Sequence, residues 1–260
     1  MAKFSNKEYD NLRKGGEILR GAFGAVEKSL HAGITTLDLD RVAENYIVSH
    51  GGAPAFKNYQ GYAHTICASI NEESVHGIPN AKKILREGDI ASIDCGVRYP
   101  KTGKDSMCTD AARTFAVGKI TDAAQKLIDV TKGSFDVAVD GLTAGQHVHI
   151  IGQKISKYIG GKYGIVHTYY GHGIGHNIHD EPLIPNYDIE RSNASKRSKQ
   201  LSNYVLQSGD VICIEPMINA GSAELKTAPD GWTAITVDGS LACHYENTLI
   251  VHDDGVEIVT

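Results

Sequence analysis

The sequence predicts a mixed α/β (α+β) protein of two similar halves related by a pseudo-two-fold axis. Three observations carry that expectation. Apolar residues recur at helical spacing near the N-terminus and again over residues 122–160. Short runs rich in β-forming residues follow the helical stretches. The order histidine, acid, acid then occurs once in each half of the chain.

The first helix is expected from Ser5 to about Ala32. Ser5 followed three residues later by Glu8 reads as a capping box, and Leu12, Ile18, Leu19, Phe23, Val26 and Leu30 form the apolar stripe. A second helix is expected after Thr36 on Leu39, Val42, Ala43 and Ile47, ended by Gly51-Gly52. Strands are expected at residues 65–70, 90–94 and 114–117. The helical pattern of 122–160 is interrupted by Gly141 and Gly145. Later strands are expected at 211–215, 233–237, 248–251 and 256–260. Residues 186–205 are polar and basic with no apolar period, and are read as a solvated surface loop. A contact with ribosomal RNA or a partner is the other reading of that loop.

A chain of 260 residues fits one domain, 1–260, with a core that needs no disulfides. Its net charge of -5 gives no reason to expect nucleic acid as the main partner. No apolar run approaches the roughly 18 residues of a membrane span, and no apolar segment of the signal-peptide kind follows Met1. Cys67, Cys95, Cys108, Cys213 and Cys243 are odd in number and contain no C-x-x-C pair. That argues for reduced thiols in a cytoplasmic protein rather than a disulfide framework or a structural zinc site.

The two halves echo each other. Val75-His76-Gly-Ile-Pro79 matches Ile178-His179-Asp-Glu-Pro182, and each is followed by a Gly-Asp turn and a strand expected to end in an acid, Asp94 or Glu215. Each half then offers another acid beside a β-rich run, Asp110 or Glu246. A lone Asp at a turn is usually a cap, the role given to Asp89 and Asp210. Four carboxylates brought together repel strongly in a low-dielectric site, so cations must neutralise them. Carboxylates with one or two histidines suit Mn, Fe, Co or Zn. A metal pair about 3.5–4 Å apart can supply hydroxide and polarise a carbonyl. In Gly171-His172-Gly-Ile-Gly-His176-Asn-Ile-His179, His172 is the expected metal ligand, and the glycines are read as room for a metal or substrate. His76 and His179 are expected to orient substrate or handle protons. His31, His50, His147, His149 and His252 are read as surface or structural.

Asn71-Glu-Glu-Ser-Val-His76-Gly-Ile-Pro79, Ile93-Asp94, Asp110-Ala-Ala-Arg-Thr114, Gly171-His172-Gly-Ile-Gly175, His179-Asp-Glu-Pro182, Ile214-Glu215-Pro-Met217 and Tyr245-Glu246-Asn-Thr248 together resemble type I methionine aminopeptidase of peptidase family M24. The match runs in order from the first helix to the C-terminus. The resemblance implies the pita-bread fold, a curved antiparallel sheet covered by helices. It implies a cytoplasmic, monomeric metalloaminopeptidase that removes the initiator methionine from N-terminal Met peptides and nascent chains when the second residue is small. Metal-bound hydroxide would attack the scissile amide, with two divalent metal ions per chain. By the same resemblance Asp94 holds one metal, His172 and Glu215 the other, and Asp110 and Glu246 bridge both. His179 would contact the scissile carbonyl oxygen, His76 the amide nitrogen side, and Glu215 would handle the proton of the attacking water. Phe56, Tyr59, Tyr62, Cys67, Ile178 and Trp232 fall where the methionine pocket is lined, and an aromatic, thiol-bearing pocket suits a thioether.

Three departures accompany the resemblance. The turn from Arg98 to Met107 is longer than the family's, and Asp105 stands at the usual distance from Asp94. Asp110 is preferred because Ala-Ala-Arg-Thr-Phe follows it. Asn247 stands where many relatives have histidine, and the 186–205 loop is longer than usual. Two rival readings are a proline-directed peptidase of the same fold, usually with an additional N-terminal domain, and a non-catalytic module that binds protein or RNA. The second would be expected to lose metal ligands.

Overall fold

The computed structural model describes residues 4–260. Its helices are α1 (Asn6–Ser29), α2 (Thr36–Ser49), α3 (Asp122–Val139), α4 (His149–Ile159) and α5 (Lys196–Leu201). The strands of the first half are β1 (Ala53–Pro54), β2 (Ile66–Ile70), β3 (Glu73–Val75), β4 (Ile90–Tyr99) and β5 (Met107–Ala116). Those of the second half are β6 (Gly164–Ile165), β7 (Gly171–Gly173), β8 (Asp180–Ile184), β9 (Val211–Ile214), β10 (Met217–Asn219), β11 (Leu225–Thr227), β12 (Ala234–Thr236), β13 (Ala242–His244), β14 (Glu246–Val251) and β15 (Val256–Ile258).

The expected capping box is present: the Ser5 hydroxyl accepts from the Glu8 amide, and the Glu8 carboxylate accepts from the Ser5 amide. The helix stops at Ser29, a few residues earlier than the apolar spacing suggests, because Leu30 is extended at φ -77°, ψ 117°. Over residues 122–160 the glycines do break the helix. Gly141 and Gly145 both take positive φ, and two helices result.

The main sheet runs β1-β4-β5-β14-β9-β7-β8, with β2 paired to β4 and β15 to β14. Every pairing in it is antiparallel. Each helix pair packs on its own half. Leu19, Phe23 and Val26 of α1 with Leu39 and Ile47 of α2 meet Ile66, Ile93 and Val97. Leu127 and Phe135 of α3 with Ile151 and Ile155 of α4 meet Ile212, Ile214, Leu249 and Val251. Each such side chain contributes about 1.5–3 kcal/mol on full burial, so the sheet's other face is left to carry polar groups.

Beyond the early end of the first helix, β4, expected over 90–94, runs on to Tyr99, and two more segments differ from the sequence expectation. β5 is ten residues long and starts at Met107, not Thr114. Its first part, Met-Cys-Thr-Asp-Ala-Ala-Arg, is small and polar and carries no β-branched run; pairing with β4 from Tyr99↔Met107 to Ile90↔Ala116 makes it a strand. The 186–205 segment is also not a solvated loop throughout. Asn186, Tyr187 and Ile189 are buried, and α5 lies within it. Tyr187 stacks on His167 at 4.0 Å, its hydroxyl lies 2.7 Å from that of Tyr170, and its carbonyl lies against Gly152 of α4. Two isolated apolar residues in a polar run gave no periodic signal for that packing.

Candidate metal and substrate site

The acids meet because of strand register. Asp94 lies within β4 opposite Ala112, and Ala112 lies opposite Glu246 on β14. These three positions form one row across the sheet. Asp110, two residues before Ala112 on β5, shares its face. Asn247 pairs with Ile214, so Glu215 emerges from β9 beside Glu246. Asp94 does not end its strand, and Asp110 does not lie outside one, as the sequence suggested. Both are mid-strand, because the β4–β5 hairpin continues past them.

Asp110 rather than Asp105 reaches the cluster. Asp105 lies in the hairpin turn and pairs with Lys7 of α1. One carboxylate oxygen from each of Asp94, Asp110 and Glu246 falls within 4.8 Å of the others. A buried oxygen of each of the three has no hydrogen-bond partner. Burial, with mutual repulsion for the last two, pushes Asp94 up to about 6 and Asp110 and Glu246 well above the usual carboxylate range. Glu215 is raised for the same reasons, burial first and then Asp94.

His172 supplies the sharpest test of what belongs between them. Its Nδ1 lies 3.0 Å from the Gly173 carbonyl, which can only accept, so Nδ1 carries the hydrogen. Nε2 then points 3.7 Å from Glu215 Oε1 and 3.9 Å from Glu246 Oε1. Burial, then His179, pushes the imidazole down to about 3, so it is neutral and aims a lone pair at carboxylates. That arrangement is repulsive toward ionised carboxylates unless a proton or a cation lies between, and its donors fit a divalent metal. The glycines around His172 serve a different end from the one read in the sequence. A Cβ at Gly171 would meet the Cys213 carbonyl at 2.3 Å, and one at Gly173 the Glu181 carbonyl at 2.2 Å. They admit neighbouring strands, not a metal or substrate.

A cavity of about 690 Å³ opens over the cluster and is lined by Phe56, Tyr59, Tyr62, Cys67, His76, His179 and Trp232 together with the acids and His172. Ile178 is not on its wall. It is buried behind, packed with Phe56, Tyr62 and Cys67. Trp232, 37% exposed, tilts over Tyr62 at 5.3 Å. His179 Nδ1 lies 3.0 Å from the Tyr59 hydroxyl, and its ring meets His172 edge-on at 4.4 Å. His76 holds a left-handed backbone, φ 62°, unusual outside glycine and found at functional positions. Burial pushes its imidazole down to about 4, with His244 and His179 adding to the effect.

Asp89 and Asp210 are turn caps, accepting from the Arg86 and Gln207 amides. Asn247 faces away from the cavity and accepts from Arg113 Nη2 at 2.6 Å and from the Thr260 hydroxyl. Tyr169, Tyr170 and Leu201 also line the cavity, and the sequence reading missed them. No short-range pattern marks them, since the 186–205 packing brings them in. His244, two residues before Glu246, was missed as well, although that spacing in extended chain places both on one face. The five cysteines are buried and unpaired. No helix among the described residues is long and apolar enough to cross a membrane.

Comparison with known proteins agrees with this geometry. Residues 10–253 match the profile of metallopeptidase family M24. The methionine aminopeptidase of Clostridium acetobutylicum is 42% identical over 257 residues, covering 98% of this chain and 97% of that protein. The crystal structure of methionine aminopeptidase from Thermotoga maritima superposes with a TM-score of 0.90 at 31% identity, over 100% of this chain and 99% of that one. A prolidase from Pyrococcus furiosus shares the fold alone, with a TM-score of 0.75 at 20% identity over 99% of this chain and 65% of that one. With its pita-bread architecture and its cavity of acids and histidines, the chain belongs to metallopeptidase family M24, among the methionine aminopeptidases.

Proposed function

We propose that this chain, as a single catalytic domain over 1–260, removes N-terminal methionine from peptides and nascent chains when the second residue is small. The observation that carries the metal part of this reading is the His172 lone pair directed at Glu215 and Glu246. Asp94, Asp110, His172, Glu215 and Glu246 are the groups that would hold two divalent ions, drawn from Mn, Fe, Co and Zn. Such ions supply a Lewis acid for a carbonyl and a source of hydroxide at neutral pH.

The chain's own residues do the rest. Phe56, Tyr59, Tyr62, Cys67 and Trp232 surround the methionine side chain, and Ile178 supports that wall from behind. The Tyr59 hydroxyl lies 3.0 Å from His179 Nδ1; donating there, it would leave the hydrogen on Nε2 to donate to the scissile carbonyl oxygen. His76 faces the amide nitrogen side. Glu215 would take the proton of the attacking water and return it to the leaving amine. The enzyme acts as a monomer in the cytoplasm, meeting nascent chains at the ribosome.

The test compares hydrolysis of Met-Gly-Met-Met and Ala-Pro-Met by metal-stripped protein refilled with each ion. Metal-dependent cleavage of the first peptide alone is expected. Cleavage of the second would point to a proline-directed peptidase, and no cleavage with any ion to a binding protein.

A further inference from the structure

His244 closes β13 opposite Met217 and is 2% exposed. Among the described residues its Nε2 has no hydrogen-bond partner, and it lies 3.5 Å from Glu215 Oε2. A polar atom left unpaired at such a depth is costly, so its setting calls for an explanation. The two oxygens of Glu215 face different imidazoles. Oε1 lies toward His172 Nε2 and Oε2 toward His244 Nε2.

The His244 backbone is fixed on both sides by one hydroxyl of β5. The His244 amide donates to Thr114 Oγ1 at 3.1 Å, and that hydroxyl lies 3.0 Å from the His244 carbonyl. Ser92 Oγ, 2.8 Å away, joins the same group. The backbone held this way fixes the point from which the imidazole reaches Glu215.

We propose that His244 is a positioning residue for Glu215, donating from Nε2–H to Oε2 so that Oε1 alone faces His172 and the metal side. Held by one oxygen, the carboxylate keeps one orientation when it binds the ion and when it moves a proton. This rests on the assignment of Glu215 as a metal-holding residue.

The experiment titrates metal-free wild type, His244→Ala, His244→Leu, His244→Gln and Glu215→Ala with Co(II). It reads the visible absorption, the Co(II) dissociation constant, the thermal midpoint, and kcat and KM for Met-Gly-Met-Met. Loss of a hydrogen bond that orients a metal-binding carboxylate costs about 10–100-fold in metal affinity or activity. His244→Ala is therefore expected to lower kcat by about that factor with KM nearly unchanged, and to alter the Co(II) spectrum and weaken its binding. His244→Leu fills the space without a donor and is expected to match it, deciding the matter should the alanine variant not fold. His244→Gln keeps a donor and should recover most of the loss. Wild-type spectrum, affinity and kcat in the donorless variants would overturn the proposal. So would equal losses in all three variants that follow only a lowered thermal midpoint. Wild-type Co(II) binding by Glu215→Ala would instead overturn the assignment of Glu215 itself.

Discussion

The imidazole of His172 and the three orphaned carboxylate oxygens make one statement at the scale of single residues: the site is strained without cations. Asp110→Asn removes one of the repelling charges. Metal-free Asp110→Asn should melt higher than metal-free wild type, while the midpoint gain on adding Mn or Co should largely vanish. Differential scanning fluorimetry with and without metal reads both signs. Tyr59→Phe frees His179 Nδ1 and lets the ring choose either tautomer. A net hydrogen bond is worth about 0.5–1.5 kcal/mol, so kcat should fall about 3–10-fold with KM for a Met peptide little changed; a larger change in KM than in kcat would mean that Tyr59 serves the side-chain pocket alone. The acids and His172 were legible because their residue types repeat in order along the chain. His244 was not, because its two-residue spacing from Glu246 becomes a signal only once both are known to lie in extended chain. Ile178 was placed one layer too near the substrate, since a motif marks a neighbourhood and not which side chain reaches the cavity surface.

Among the elements, the helices were legible from capping and apolar spacing, and the longest hairpin was not. A strand such as β5 is made by its partner, and Asp110 with its alanines satisfies no propensity rule. The tight β7–β8 contact leads to a specific expectation. Gly173→Ala sets a methyl against the Glu181 carbonyl, which is backbone and cannot swing away. Overpacking of this kind costs about 1–3 kcal/mol, and at roughly 2–4 °C per kcal/mol the midpoint should drop several degrees. Because the strand carries His172, metal affinity should fall with it. Ser5→Ala removes a helix cap far from the cluster, costs about 1 kcal/mol, and should leave metal affinity alone. Equal metal affinities in the two variants, read by calorimetric titration, would contradict this account.

Across the whole molecule, protons and metal compete for the same acids. Asp94, Asp110, Glu215 and Glu246 have folded pKa values above their unfolded ones, so the folded state binds more protons. Their contribution is present at low pH and is lost as pH rises through those folded values, the first at about 6 for Asp94. The buried histidines act oppositely. His76 at about 4 and His172 at about 3 bind fewer protons than when unfolded, so they add stability with rising pH, a gain complete near their unfolded value of about 6.5. Above that pH the carboxylates still titrate, joined toward pH 8.5 by the buried thiols, which burial also pushes up, and both lower stability as pH rises, so the melting midpoint of metal-free protein should decline from pH 6.5 to 8.5. With metal at one hundred times its dissociation constant, linkage adds about 2.7 kcal/mol per site, and the gap between loaded and stripped protein should widen over the same range. A metal-free midpoint that rises there would contradict the clustering of the acids. Fold class was legible at this scale from the doubled order of histidine and acids, but the way the halves join was not.

Within the main sheet that join is thin. β4 and β5 pair over ten registered positions, yet β5 and β14, where the halves meet in that sheet, pair over only Ala112↔Glu246 and Ala111↔Asn247, while outside it β3 of one half pairs with β12 of the other. Beyond them the Thr248 hydroxyl bonds the backbone of Asp110 from the side. The two leaves are thus sewn at a spine two stitches wide, and the groups proposed to bridge the ions, Asp110 and Glu246, are sewn into it. Stripping the ions should loosen the spine before either leaf, so amide protons along 110–112 and 246–248 should exchange faster with deuterium while those of the helix pairs keep their protection.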